Sequence, residues 1–403
     1  MHLLYLTAEA YPTHRVDVQL LFGVWMPRLG ITSDLVAIRS ERGVNTPSWA
    51  GGRAILAEPR TGWRRRGAAA WHAVRQLLAA DRSGYDAIQV RDMPFIALFG
   101  LLAARAKGLR YFYWMSFPIP ESHLGMAEDR GVSAGIAKFA YHWLNGKLGQ
   151  WILYRLVLPR ADHVFVQSDQ MKIDVARLGI PACRMTPVPM AVDTAALATA
   201  GIRPCDDPRL VNHRVLVYLG TQGRPREIER LFDMLALVRR EVPEALLVLV
   251  GDVEDPAHRA WLRERADAAG VADHVLWTGW LPIEEGWRYV RSAEVGLSPF
   301  PRGPLLDSAS PTKVPEYLAL GVPVVCNDNP DQAAIVAASG AGRCVPYTAS
   351  SFATAVLDVL ECGPDARDAM VRAGKTYVGR HRDYSVVGAR LATVYQGILK
   401  APQ

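Results

Sequence analysis

The chain has 403 residues, enough for two or three domains, and with half of them hydrophobic and 21% charged it can bury full-sized cores. Its five cysteines (Cys183, Cys205, Cys326, Cys344, Cys362) are scattered, odd in number and without CxxC spacing. That argues against a disulfide scaffold or a metal site and for a reducing compartment, by default the cytoplasm. A net charge of +6 with no recognised binding motif gives little reason to expect a nucleic-acid partner.

The opening MHLLYLTAEAYP is apolar only briefly and breaks at Glu9 and Pro12, so it reads as a buried first strand, Leu3–Thr7, rather than an export signal. A helix over Val18–Leu29, closed by Gly30, leads to a strand at Ser33–Ile38. A helix at Trp71–Ala80 precedes strands at Asp86–Val90, Arg110–Trp114 and His163–Gln167. The longest later apolar run, Phe95–Ala104, is too short to span a bilayer. Basic and aromatic residues interleave twice. Arg64, Arg65 and Arg66 follow Trp63; Lys138, His142, Lys147, Arg155 and Arg160 lie among Phe139, Tyr141, Trp143, Trp151 and Tyr154. Such a surface suits peripheral contact with an anionic membrane, and equally a core helix with a solvated polar side.

Asp193–His213 breaks the alternation with Pro204, Asp206, Asp207 and Pro208 and reads as an interdomain linker. A second series follows, with strands at Arg214–Leu219, Leu246–Val250, Val275–Thr278, Val295–Pro299 and Pro323–Cys326. The expected fold is α/β: two Rossmann-like domains, residues 1–192 and 214–382, facing across a cleft that takes a nucleotide ligand. The amphipathic stretch Val386–Ile398 is expected, within 383–403, to pack back toward the N-terminal domain.

The most informative stretch is SASPTKVPEYLALGVPVV, residues 308–325. Ser310 as N-cap and Pro311 at the first helical position predict a helix start whose free N–H groups suit a diphosphate. Lys313 in the first turn opposes the helix dipole, a conflict that a bound anion resolves. Glu316, about two turns in, has the chemistry to accept hydrogen bonds from ribose hydroxyls.

This stretch resembles the donor-binding signature of the family-4 retaining glycosyltransferases of GT-B fold, in the subset reading S-P-T-K-x-x-E-Y-x-A-x-G-x-P-V-V. ADHVFVQSDQMKIDVARLGIPACRMTPVPMAVDT, VLVYLGTQGRPREIERLFDML, LLVLVGD, VLWTGWLP and EVGLSPF follow the family's order. The likeness is strong over Ala161–Val345 and weak before it. It implies that Glu316 is the second glutamate of the family's E-x7-E pair and that Arg226 stands where the family has a phosphate-neutralising lysine. Gly220 and Gly251 then allow close backbone approach, Trp280 lies in the loop that meets the base, and Ser310, Pro311 and Thr312 line the diphosphate.

Four departures stand out. Ser308 replaces the first glutamate, with Asp307 beside it. His14, Arg15 and Val16 replace the N-terminal glycine pair, and Ser116 stands near where the family has a histidine. Thr221 replaces an arginine whose charge Arg224 is placed to supply. The resemblance implies transfer of a hexose, with retention, from a nucleotide-diphosphate sugar to a glycan or lipid-linked acceptor in polysaccharide biosynthesis. Arg226 and Lys313 would stabilise the leaving diphosphate. No DxD motif is present, so neither metal nor cofactor is expected. Asp17, Asp92 and Glu121 are candidates to orient or deprotonate the acceptor hydroxyl, and equally cap or loop residues. Two other readings stay open: a GT-B nucleotide-sugar epimerase, and a non-catalytic sugar-nucleotide-binding subunit.

Overall fold

The computed structural model describes residues 1–13, 15–40, 48–59, 62–131 and 135–400, without the side chains of 62–66 and 130. His14 and the side chains of Trp63, Arg64, Arg65 and Arg66 therefore lie outside the described residues. Two compact units share the chain, Met1–Met190 with Tyr384–Gln403 and Ala191–Asp383.

In the first unit, β1 (His2–Tyr11), β2 (Thr32–Arg39), β3 (Ala54–Ala57), β4 (Ala87–Arg91), β5 (Arg110–Met115), β6 (His163–Val166) and β7 (Met185–Pro187) form one sheet in the order β3-β2-β1-β4-β5-β6-β7. Every pairing is parallel. β4 and β5 are buried at each position. Helices on both faces explain why these strands read as unbroken apolar runs rather than alternating ones. One face packs Leu4, Leu6, Val90, Tyr111 and Tyr113 into an aliphatic core. The other holds an aromatic layer in which Tyr395 meets Phe165 at 4.6 Å and Phe112 at 5.2 Å. Tyr395 lies on the last helix, Tyr384–Lys400, and its hydroxyl bonds the buried Gln89 side chain. That layer is what places the chain's end in the first unit.

In the second unit, β8 (Arg214–Leu219), β9 (Ala245–Val250), β10 (Val275–Gly279), β11 (Val295–Ser298), β12 (Val324–Asn327) and β13 (Gly342–Val345) run in the order β10-β9-β8-β11-β12-β13, again parallel. Residues 193–213, read above as a linker, belong to this unit. Asp193 caps a helix, Thr194–Ala200, by accepting from Ala196 N–H at 2.8 Å, and Leu197 enters the core. A seven-residue helix with a single buried side chain carries no amphipathic period to read. Val192 N–H donates to the Arg382 carbonyl at 2.8 Å and Thr194 N–H to Asp383 at 3.0 Å, so both ends of the unit's segment are held side by side.

In each sheet the strand order reverses beside the first strand, between β1 and β4 and between β8 and β11. Such switch points open a crevice beyond the carboxyl ends of the strands.

Candidate functional site

β11 pairs with β8 only as far as Gly296↔Val217, after which the two strands separate. Tyr317 fills the gap: its hydroxyl accepts from Leu219 N–H at 2.8 Å and donates to the Leu297 carbonyl at 3.2 Å. Gly296 makes this possible, because a Cβ there would collide with the Tyr317 ring. The phenol thereby fixes the helix Lys313–Ala319 against the ends of β8 and β11.

Lys313, the first residue of that helix, points back over β8. Its Nζ lies 5.1 Å from the Tyr218 ring centroid and 3.1 Å from where a Cβ on Gly220 would stand. Gly220 has a φ of 140°, so both conformation and space require glycine there. Lys313 is 9% exposed. Burial, reinforced by the like charge of Arg226, pulls its ammonium down to about 7. Arg226 ends the short turn Arg224–Arg226 and lies over the Phe300 ring at 4.2 Å. Its Nη1 is buried without a hydrogen-bond partner, and burial lowers its pKa also. Glu316 is half-buried, and its carboxyl is pushed up to about 7 by burial, against the pull of Lys313 and a hydrogen bond from Thr312. Gly251, after β9, donates to the Gly279 carbonyl at 3.1 Å, and a Cβ on it would strike the Gly220 carbonyl oxygen. The site is not sealed, since Gly220, Arg226, Thr312 and Glu316 each keep partial exposure.

The expected cap is corrected. The helix begins at Lys313 with Thr312 before it, so Pro311 is not its first residue, and Glu316 sits in its first turn rather than its second. Ser310 does not cap: its hydroxyl donates to Asp331 at 2.7 Å and accepts from Arg382 at 3.3 Å, inside a buried ion pair. The burial of a charged pair outcompetes a local cap here. With seven residues, the helix offers little macrodipole, and the positive field at this point comes from the two side chains.

Asp307 is held by Arg302, whose Nε and Nη2 donate at 2.8 and 3.0 Å, and by Gly303 N–H at 3.1 Å. Ser308 is buried. The Thr221 carbonyl accepts from Tyr218 at 2.6 Å while its side chain faces outward. Arg224 is exposed, 3.9 Å from Asp255, and Trp280 is 56% exposed.

In the first unit, Asp92 follows β4 with a φ of 54°. Its carboxylate accepts from Ser116 N–H at 2.8 Å, from the Ser116 hydroxyl and from Phe117 N–H at 3.3 Å, and it faces Arg91 at 3.3 Å. It is a loop anchor rather than an unengaged base. Burial raises its pKa even so. Asp17, in the first turn of the helix Asp17–Trp25, pairs with Arg91 at 3.1 Å; Glu9 joins Arg91 at 3.2 Å and exposed Arg15 at 3.0 Å. Glu121 lies in the first turn of the helix Ile119–Arg130, not in a loop, and accepts from Gln150 at 3.0 Å.

Sequence reasoning missed the residues that position these groups. Phe300, quoted only as the end of EVGLSPF, carries Arg226, and Asn327 clamps it by accepting from its N–H at 2.6 Å and donating to its carbonyl at 2.8 Å. Asp331 and Arg382, 2.5 Å apart, hold Ser310. Nothing local marks either: their partners lie tens of residues away. Among the described residues no cluster of His, Cys, Asp and Glu could hold a metal ion, and no helix is long and apolar enough to cross a membrane.

Two family models match consecutive parts of the chain, "Glycosyl transferase 4-like domain" over residues 17–191 and "Glycosyl transferases group 1" over residues 208–377. A curated relative from Mycolicibacterium smegmatis, named as a GDP-mannose-dependent α-(1-6)-phosphatidylinositol monomannoside mannosyltransferase, is 30% identical over 229 residues. That stretch is 55% of this chain and 59% of the relative, so the match spans little more than half of either protein. Among solved structures, HepE of Anabaena in complex with UDP superposes with a TM-score of 0.73 at 12% identity, over 98% of this chain and all of that one. Sucrose-phosphate synthase of Thermosynechococcus elongatus does so with a TM-score of 0.73 at 16% identity, over the full length of both. At such identities the two structures show the fold alone, which is GT-B, and the two domain models, matching consecutive parts of the chain, support a place among the glycosyltransferases of that fold.

Proposed function

We propose that this protein moves a hexose, with retention of anomeric configuration, from a nucleotide-diphosphate sugar to a hydroxyl of a glycan or lipid-linked acceptor in polysaccharide biosynthesis. It works without a metal, in the cytoplasm and at the inner face of the membrane. One observation carries the donor half of this reading. Burial, with the like charge of Arg226 added to it, depresses the Lys313 ammonium, and Arg226 Nη1 is buried without a hydrogen-bond partner. Buried charge is costly unless paired. A diphosphate supplies the missing partner to both.

In the reaction the bond from the anomeric carbon to the diphosphate oxygen breaks and its electron pair leaves with the diphosphate. The acceptor oxygen bonds to that carbon, and its proton passes to the departing diphosphate oxygen. Charge grows on the diphosphate in the transition state, where fixed cations in a partly dry site stabilise it most. Glu316, one turn along, takes the ribose hydroxyls. Retention rests on the S-P-T-K-x-x-E-Y pattern, and the acceptor class on the basic and aromatic surface of the first unit.

A thermal-shift screen of UDP, GDP and their sugar conjugates tests the reading, since a ligand bound only by the native state raises the melting temperature. HepE binds UDP and the Mycolicibacterium relative is named for GDP-mannose, so both bases belong in it. The expected result is stabilisation by one diphosphate and its conjugate, followed by slow release of free sugar. An isomerised nucleotide sugar formed without acceptor would instead indicate an epimerase; binding without turnover, a non-catalytic subunit. No stabilisation by any nucleotide would remove the donor site.

A further inference from the structure

A cavity of about 710 Å³ opens in the first unit, beyond the carboxyl ends of its central strands. Leu6, Val36, Ile38, Ala57, Met93 and Ile96 form its walls, and among the described residues no charged side chain lines it. Each of the four polar side chains that line it among the described residues already has a protein partner. Thr7 Oγ1 accepts from Glu9 N–H at 3.2 Å and His72 Nε2 meets the Ile55 carbonyl at 3.2 Å. Asn145 Nδ2 donates to the Tyr141 carbonyl at 2.7 Å, and His123 Nδ1 lies 3.0 Å from His142 Nδ1. A sugar or phosphate seated here would lose its hydration with little to replace it, whereas an apolar group would gain from burial.

The helices around the cavity say where such a group comes from. Gly62–Ala79 exposes Trp71 and Leu78, and Pro94–Lys107 exposes Phe99 and Leu102. Ile136–Trp151 exposes Leu144 and Trp151. Phe95 both lines the cavity and is 37% exposed, so it stands at the mouth. The sequences of these three helices contain no aspartate or glutamate, while Arg75, Lys138 and Lys147 are exposed on them. Two copies meeting through this face would bring like charges together; an anionic bilayer neutralises them and accepts the apolar side chains.

We propose that the cavity holds the aliphatic tail of a lipid-linked acceptor, drawn from an anionic membrane on which the three helices rest. This deepens the acceptor reading above and depends on the acceptor being lipid-linked. It does not depend on the donor site, which lies in the other unit.

The test uses the full-length protein and a fluorescent medium-chain fatty acid as probe. Saturable binding is expected, weakened about tenfold or more by Ala69→Phe, which fills the cavity, and by Phe95→Asp at its mouth. Nucleoside diphosphate affinity should be unchanged in both variants, and circular dichroism and urea unfolding that match the native protein show that their first unit folds. Lys138→Glu with Lys147→Glu should reduce flotation with phosphatidylglycerol vesicles and leave probe binding intact. Absence of saturable probe binding, or equal affinity in native protein and both variants, overturns the proposal even if vesicles bind. A dimer in sedimentation whose formation the probe does not affect and the lysine reversal strengthens would assign the face to a second copy, and overturns it too. Probe binding with no nucleotide binding would leave the cavity in place and remove the donor site instead.

Discussion

Replacing Lys313 with methionine should make the protein more stable and less able to bind its nucleotide. Lys313 is 9% exposed, and burial brings its pKa from 10.5 to about 7. The unfolded chain therefore holds this proton more tightly than the folded one, and the group costs more stability as pH falls from its ordinary value toward the depressed one. At 1.36 kcal/mol per unit the cost is about 2 kcal/mol at pH 9 and about 4 kcal/mol at pH 7. Methionine fills a similar volume without a charge, and losing the cation beside Glu316 takes back about 1 kcal/mol. The net gain at pH 7, about 3 kcal/mol, corresponds to a rise of roughly 6–12 °C in the melting of this unit. Scanning calorimetry of both proteins at the two pH values, with titration of UDP and GDP, measures all of this. A variant that melts no higher at pH 7, or a gain that fails to shrink by pH 9, refutes the claim that a buried, unneutralised lysine sits here. Unimpaired nucleotide binding by the variant refutes its role.

Other outcomes follow from the same geometry. Arg226→Ala should weaken nucleoside diphosphate binding by about 1.5–3 kcal/mol, the worth of a hydrogen bond to a charged group, and unchanged affinity by calorimetry would contradict it. Binding at about pH 8 should take up a proton, because an anion restores the Lys313 charge that burial suppresses. Calorimetry in buffers of different ionisation enthalpy reads that proton directly, and a buffer-independent enthalpy would tell against it. Glu316→Gln should lower kcat/KM by at least about tenfold with the fold retained, judged by transfer assay and circular dichroism. Tyr317→Phe leaves Leu219 N–H buried and unpaired, at a cost of about 1–3 kcal/mol in urea unfolding; an unshifted midpoint would mean that the hydroxyl does not bridge β8 and β11.

How much of this was legible in the chain depends on the range of the interactions concerned. Runs such as DAIQV, RYFYW and LLVLV announce parallel strands because burial on both faces leaves no room for polar alternation, and two series of them fix the α/β class. Lys313, Glu316 and Tyr317 are legible as a motif because they share one helix. The edge strands β3, β7 and β13 were not readable, being three or four residues long with partly exposed positions. Nor was the helix within 193–213, which only packing against the second sheet identifies. The cap at Ser310 was misread because a buried Arg382–Asp331 pair claims that hydroxyl. Sequence by itself determined the class of fold and the residue types able to meet a phosphate, since those follow from local periodicity and spacing. Only tertiary structure decided that Phe300, clamped by Asn327, carries Arg226 beside Lys313, and that Asp92 is spent on a turn: burial and charge proximity are set by contacts between residues far apart in the chain.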